Sequence, residues 1–268
     1  MCSHFEILQY AHENGCSWDP QTCVNAAGSG HLEILKYAHE NGCPWDEETC
    51  RKAAERGEVE ALQYAHENGC PWDGRTCESA AGPTGNLKVL KYAHENGCPW
   101  DVETCTTAAL NWKFEILKYA HENGCPWDEE TCTVAAMYGK LKVLKYAHEH
   151  GCPWDSDTCK YAAANGNLDC LKYAHENGCP WDEETCGIAA DHGRLETLKY
   201  AHENGCPWDA NTCYLAAENG RLEEFRFAIE HGCPYHERLL LASSVAHDRM
   251  VAWVVDTLSH TVQAPEFI

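Results

Sequence analysis

The chain predicts an all-α fold, an α-solenoid of stacked helix–turn–helix repeats without β-hairpin fingers. Three observations carry that prediction. A Gly-Cys pair recurs with its cysteine at 16, 43, 70, 98, 125, 152, 179, 206 and 233, at intervals of 27 residues with a single exception of 28. Each interval holds two short segments with helical apolar spacing, and every such segment is bracketed by start and stop residues that leave no length for a strand. Two-to-three-turn helices cannot bury their own apolar stripes, so neighbouring repeats must stack into a continuous core.

One repeat, read from Gly30, justifies each element in order. Leu32, Leu35, Ala38 and His39 share one face of a first helix, while Glu33, Lys36 and Glu40 pair on the other. Asn41-Gly42 provides a left-handed stop and Pro44 prevents continuation. Asp46 is an N-cap, and Glu47 and Glu48 suit the positive end of a second helix. That helix turns Cys50, Ala53 and Ala54 inward and ends at Arg56-Gly57. The recurring Ala-Ala pair, as in Ala26-Ala27 and Ala216-Ala217, lets helices approach closely. The one longer interval places its extra residue in Gly82-Pro83-Thr84-Gly85.

About nine such units fill a single repeat domain over 1–268, with 1–15 a partial first unit. Residues 234–260, including Glu237–Ala242 and Met250–Val255, read as a divergent C-terminal cap, and 261–268 as a tail. With 20 Lys plus Arg against 42 Asp plus Glu, the formal charge is −22. Such a surface repels phosphates and anionic lipid, which excludes nucleic acid and membrane as partners and favours a protein partner with basic patches. No basic region followed by an apolar one opens the chain, and no stretch approaches about 18 apolar residues, so an intracellular, reducing location is expected. No unit holds a unique nucleophile, base and oxyanion arrangement, so the chain is not expected to be an enzyme.

The string A-A-x-x-G-x-L-x-x-L-K-Y-A-x-E-N-G resembles the ankyrin repeat over essentially the whole chain. The ankyrin unit has about 33 residues; the shortage here falls between Trp45-Asp46 and Ala53-Ala54, where that family places its β-hairpin finger. The Thr-Pro-Leu-His signature is replaced by Glu48-Thr49-Cys50-Arg51. The resemblance implies a protein-interaction scaffold whose second helix lines a concave face. Comparison between units shows a constant L-K-Y-A-H-E-N-G-C-P-W-D half and a variable second helix, where Met137, Tyr138, Tyr161 and Tyr214 are candidate partner anchors.

The other candidate site is a repeated His-x3-Cys-x6-Cys: His12, Cys16 and Cys23; His39, Cys43 and Cys50; His66, Cys70 and Cys77; His94, Cys98 and Cys105; His121, Cys125 and Cys132; His148, Cys152 and Cys159; His175, Cys179 and Cys186; His202, Cys206 and Cys213. Each set is expected to converge on one inter-helix corner. The ninth unit reads Ile229, Cys233 and Leu240, so the His and the distal Cys disappear together. Three readings stand: small thiols packed beside a hydrogen-bonded His, one structural Zn²⁺ per repeat, or a disulfide within each unit. Two thiolates and an imidazole supply three ligands for tetrahedral zinc, with the fourth from Asp46 and its equivalents, a neighbouring unit or water. Eight such sites make a zinc-binding or storage protein the alternative to the scaffold.

Overall fold

The computed structural model describes residues 4–235, which form seventeen helices and no strand among the described residues. The expected C-terminal cap and tail lie almost wholly outside the described residues. By packing the chain divides into two compact units, 1–131 and 132–268.

The first unit holds α1 (His4–Glu13), α2 (Gln21–Gly28), α3 (Leu32–Glu40), α4 (Glu47–Arg56), α5 (Val59–Glu67), α6 (Gly74–Ala81), α7 (Leu87–Glu95), α8 (Val102–Leu110) and α9 (Phe114–Glu122). The division falls inside α10 (Glu129–Met137). The second unit continues with α11 (Leu141–Glu149), α12 (Ser156–Ala164), α13 (Leu168–Glu176), α14 (Glu183–Asp191), α15 (Leu195–Glu203), α16 (Ala210–Glu218) and α17 (Leu222–Glu230).

Even-numbered and odd-numbered helices make separate layers. In the first unit α2, α4, α6 and α8 pack each on the next, as do α1, α3, α5, α7 and α9; in the second, α12, α14 and α16 form one layer and α11, α13, α15 and α17 the other. The even layer is the more tightly packed, because Ala53 and Ala54 and their counterparts present no bulk to the neighbouring helix. Between the layers lies one buried leucine from each odd helix from α3 to α15, at 35, 62, 90, 117, 144, 171 and 198.

Capping residues set the element boundaries. Asp46 has extended backbone and accepts a hydrogen bond from the Glu48 amide; Asp73, Asp155, Asp182 and Asp209 do the same for their helices. At the far end of α3 the Cys43 amide donates to the Ala38 carbonyl and the Gly42 amide to that of His39, a Schellman pattern with Gly42 at φ 82°. Asn41 adds a side-chain bond to the Tyr37 carbonyl at 2.8 Å.

The phase of the packing module differs from the one read off the sequence. The helices that face each other closely across a tight turn are α4 with α5, α6 with α7, α12 with α13 and so on. Each module is therefore an antiparallel hairpin running from an Asp cap to the next Gly-Cys, turned about Gly57 or its counterpart. The Asn-Gly-Cys-Pro-Trp-Asp segment links one hairpin to the next. Periodicity fixes the length of a repeat, and any starting point satisfies it; only the tertiary contacts set which two helices pair.

Adjacent hairpins are latched at their turns. Asn86 Nδ2 donates to the Gly57 carbonyl at 3.3 Å, Asn167 Nδ2 to those of Ala136 and Met137 at 2.9 and 2.7 Å, Arg194 Nε to that of Ala164 at 3.2 Å, and Arg221 Nε to that of Asp191 at 2.9 Å. These bonds satisfy carbonyls left over at helix ends. In the longer repeat the Thr84 hydroxyl donates to the Glu55 carbonyl, so the extra residue adds a contact to the preceding hairpin.

Candidate functional site

The His/Cys/Cys corner is built from three places in the fold. The His closes an odd helix, the first Cys follows its glycine stop, and the second Cys lies in the first turn of an even helix on the inward stripe. Because hairpins pair across the Gly57-type turn, the start of an even helix meets the end of the odd helix that follows it. The second Cys of one set is therefore brought to the first Cys of the next.

Such thiol pairs include Cys23 with Cys43, Cys50 with Cys70, Cys77 with Cys98, Cys105 with Cys125, Cys159 with Cys179, Cys186 with Cys206, and Cys213 with Cys233. In four of them the inner Sγ lies 4.0 Å from the backbone carbonyl of its partner: Cys50 at Cys70, Cys77 at Cys98, Cys159 at Cys179 and Cys186 at Cys206. The partner from the turn also donates to the cap carbonyl at the open end of the same hairpin, as Cys70 Sγ does to Asp46 at 3.1 Å and Cys179 Sγ to Asp155 at 3.1 Å. Hydrogen bonding to Cys70, reinforced by burial, pushes the Cys50 thiol well above the ordinary range; Cys186 is raised in the same way by Cys206. Cys170 packs alone in the core, where burial raises its pKa to about 11.

The imidazoles are occupied elsewhere. His39 stacks on Trp45 with ring centroids 3.5 Å apart and an interplanar angle of 13°, and the next tyrosine, Tyr64, meets both rings edge-on at 6.2 Å. The same His–Trp stack recurs at 66/72, 94/100, 121/127, 148/154, 175/181 and 202/208 with centroids 3.6–3.8 Å apart, and more loosely at 12/18. Lys36 lies 5.5 Å above Tyr64 and Lys145 5.2 Å above Tyr173, extending the stack to a cation. Each tryptophan thus sits on the seam between one hairpin and the next, and the histidine that the sequence offers as a ligand is part of that seam.

The expected convergence of His12, Cys16 and Cys23, of His39, Cys43 and Cys50, and of the six corresponding sets is not formed. Among the described residues no group of three His, Cys, Asp or Glu side chains is placed to hold a metal ion. The donors come two at a time, both sulfur, whereas tetrahedral zinc needs four. The residues do not fit the ion in this arrangement.

The second candidate surface belongs to the variable positions of the even helices. Tyr138 and Tyr214 are 46% and 45% exposed, Met137 and Tyr161 half-buried. The Tyr214 hydroxyl donates to Glu218 at 2.9 Å, and Lys160 lies 5.7 Å over the Tyr161 ring while bonding Glu184 of the next even helix at 2.8 Å. Sequence reasoning missed Trp112. It is 60% exposed, next to exposed Leu110, and has φ 62° at the hairpin turn where six other repeats put a left-handed glycine: 30, 57, 139, 166, 193 and 220. That Trp-for-Gly exchange is the signal that could have found it.

The family model for ankyrin repeats (many copies) matches residues 132–175. That segment is similar to ankyrin repeats. It covers the greater part of α10, all of α11 and α12, and nearly all of α13, and the hairpin of α12 with α13 has the Asp cap and the packing of the α14 with α15 hairpin that follows it. Where ankyrin repeats carry a finger between hairpins, the Asn-Gly-Cys-Pro-Trp-Asp link contains no strand among the described residues. No curated protein matches the chain. No helix among the described residues is long and apolar enough to cross a membrane.

Proposed function

We propose that this protein is a non-enzymatic scaffold that binds a protein partner bearing basic patches, through the variable face of its even helices. The observation that carries the reading is the split between two classes of position. The constant residues are spent on caps, on the inter-hairpin seam and on the thiol pairs. The variable residues include tyrosines that stand partly out of the surface, at Tyr138 and Tyr214. Aromatic side chains on a rigid support bring large contact area at small entropic cost, which is how hot spots are made. Ankyrin repeats as a family mediate protein–protein contacts, in keeping with the matched segment. The charge of −22 supports a cationic partner and salt-sensitive association.

The test compares the proteins retained by the immobilised chain with those retained by a Tyr138→Ser, Tyr161→Ser, Tyr214→Ser variant of unchanged circular dichroism. A partner lost from the variant, and released from the parent chain by salt, is expected; losing one anchor costs about 2 kcal/mol of binding. Identical retained proteins on both would overturn the assignment of the face.

A further inference from the structure

These thiol pairs share one position in the fold, the open end of a helical hairpin. Cys50 starts α4 and Cys70 follows α5, twenty residues later; Cys77 and Cys98 are twenty-one apart because their hairpin carries the longer turn. Everything between the two sulfurs is one hairpin, and successive pairs enclose successive hairpins without overlap. We propose that each pair is a site of disulfide formation that clasps the open end of its hairpin, with hydrogen peroxide as the oxidant.

Packing alone does not account for the pairing. Where only a small apolar side chain is needed the repeat uses alanine, as at Ala53 and Ala54, and Cys170 shows that a single thiol fills a core position without a partner. The alternative use of two sulfurs, as ligands of a metal, needs further donors, and among the described residues none is placed beside a pair to complete a metal site. The burial pattern sets the order of events. Cys70 is 3% exposed and Cys50 0%, and the turn cysteine is likewise the outer member in the other pairs. The outer sulfur, as thiolate, attacks one peroxide oxygen and breaks the O–O bond, giving a sulfenic acid and, after proton uptake by the leaving oxygen, one water. The inner sulfur then attacks the sulfenic sulfur, forming the S–S bond, expelling hydroxide and releasing its own proton to make a second water. Two thiols lose two electrons and two protons, and one peroxide is reduced to two waters.

The test treats the full chain, purified under reductant and then freed of it, with hydrogen peroxide under native conditions. Remaining thiols are alkylated in denaturant, and the chain is cleaved before aspartate and after lysine and arginine. An aspartate lies between the two cysteines of every sequence repeat, as Asp46 lies between Cys43 and Cys50, so cleavage there separates the two possible partners of each sulfur. Expected are peptides joined through Cys50–Cys70, Cys159–Cys179 and their counterparts, each two hydrogens lighter than the sum of its parts, with Cys170 still alkylatable. Thermal unfolding of the oxidised chain is expected to shift upward and to return when reductant is added. Cys50→Ser is expected to leave Cys70 alkylatable and the other links intact, and Cys186→Ser does the same in the second unit should the first variant not fold. Thiols that all remain alkylatable, sulfinic or sulfonic acids without cross-links, or links of the Cys43–Cys50 type would each overturn the proposal.

Discussion

Asp46 and Asp101 occupy equivalent caps, yet only Asp46 accepts an amide hydrogen bond from its own helix. Asp46→Ala is therefore expected to cost about 1 kcal/mol and Asp101→Ala less, a difference to be read from chemical denaturation of the two variants side by side. A second residue-scale contrast concerns handedness. Gly57 has φ 80°, and a Cβ there would come within 3.3 Å of the Asn86 side chain that latches the next hairpin, so Gly57→Ala should destabilise by about 1–2 kcal/mol. Trp112 already bears that kind of strain at φ 62°. Trp112→Gly removes that strain and is expected to raise the melting temperature; a marked fall would show that the contacts of the indole outweigh the strain.

At the scale of the element, the even helices carry a threonine just before each inner cysteine. Thr158 shares a hydroxyl hydrogen bond with Thr133 at 3.3 Å, and Thr131 with Thr106 at 3.3 Å, whereas the buried hydroxyls of Thr49, Thr76, Thr104, Thr185 and Thr212 have no partner. An unsatisfied buried hydroxyl costs about 1–3 kcal/mol. Thr185→Val should thus stabilise, and Thr133→Val should destabilise by leaving the Thr158 hydroxyl alone; equal effects in thermal melts would contradict this account. The helices themselves were legible in the sequence, because Asp at the start and Asn-Gly at the stop act within a few residues of the boundary they set. The cysteine partners were not. Cys43 and Cys50 are seven apart and look like a pair, but hairpin closure puts Cys50 beside Cys70. The stacking of the histidine was not legible for a related reason: its partner, Trp45, was in view, but a stacked ring and a ligand leave the same spacing in a sequence.

For the molecule as a whole, donors that come in twos rather than fours have a measurable result. Protein purified without added metal should carry no stoichiometric zinc by elemental analysis, and a chelator should leave its helical circular dichroism unchanged; loss of that signal on chelation would restore the zinc clip as the stabilising device. The stacking of repeats was legible from the 27-residue interval, but not which two helices pair, and the proposed binding face was legible only as variation between units. Which variable residues stand out from the surface required the structure, since Tyr161 and Tyr214 occupy similar places in the sequence and differ in exposure.

The hairpin phase also governs how such a chain can change in length. Excising Asp182–Trp208 would join Trp181 to Asp209, and the incoming Asp cap, Ala-Ala pair and Gly-Cys stop would present to α12 and α13 the same residue types as the ones removed. A deletion that is not a whole number of repeats would put other residue types against the alanine layer. Gain and loss of whole hairpins is accordingly the cheapest route by which this protein can lengthen or shorten its reach, with the residues flanking the junction already matched before the event occurs.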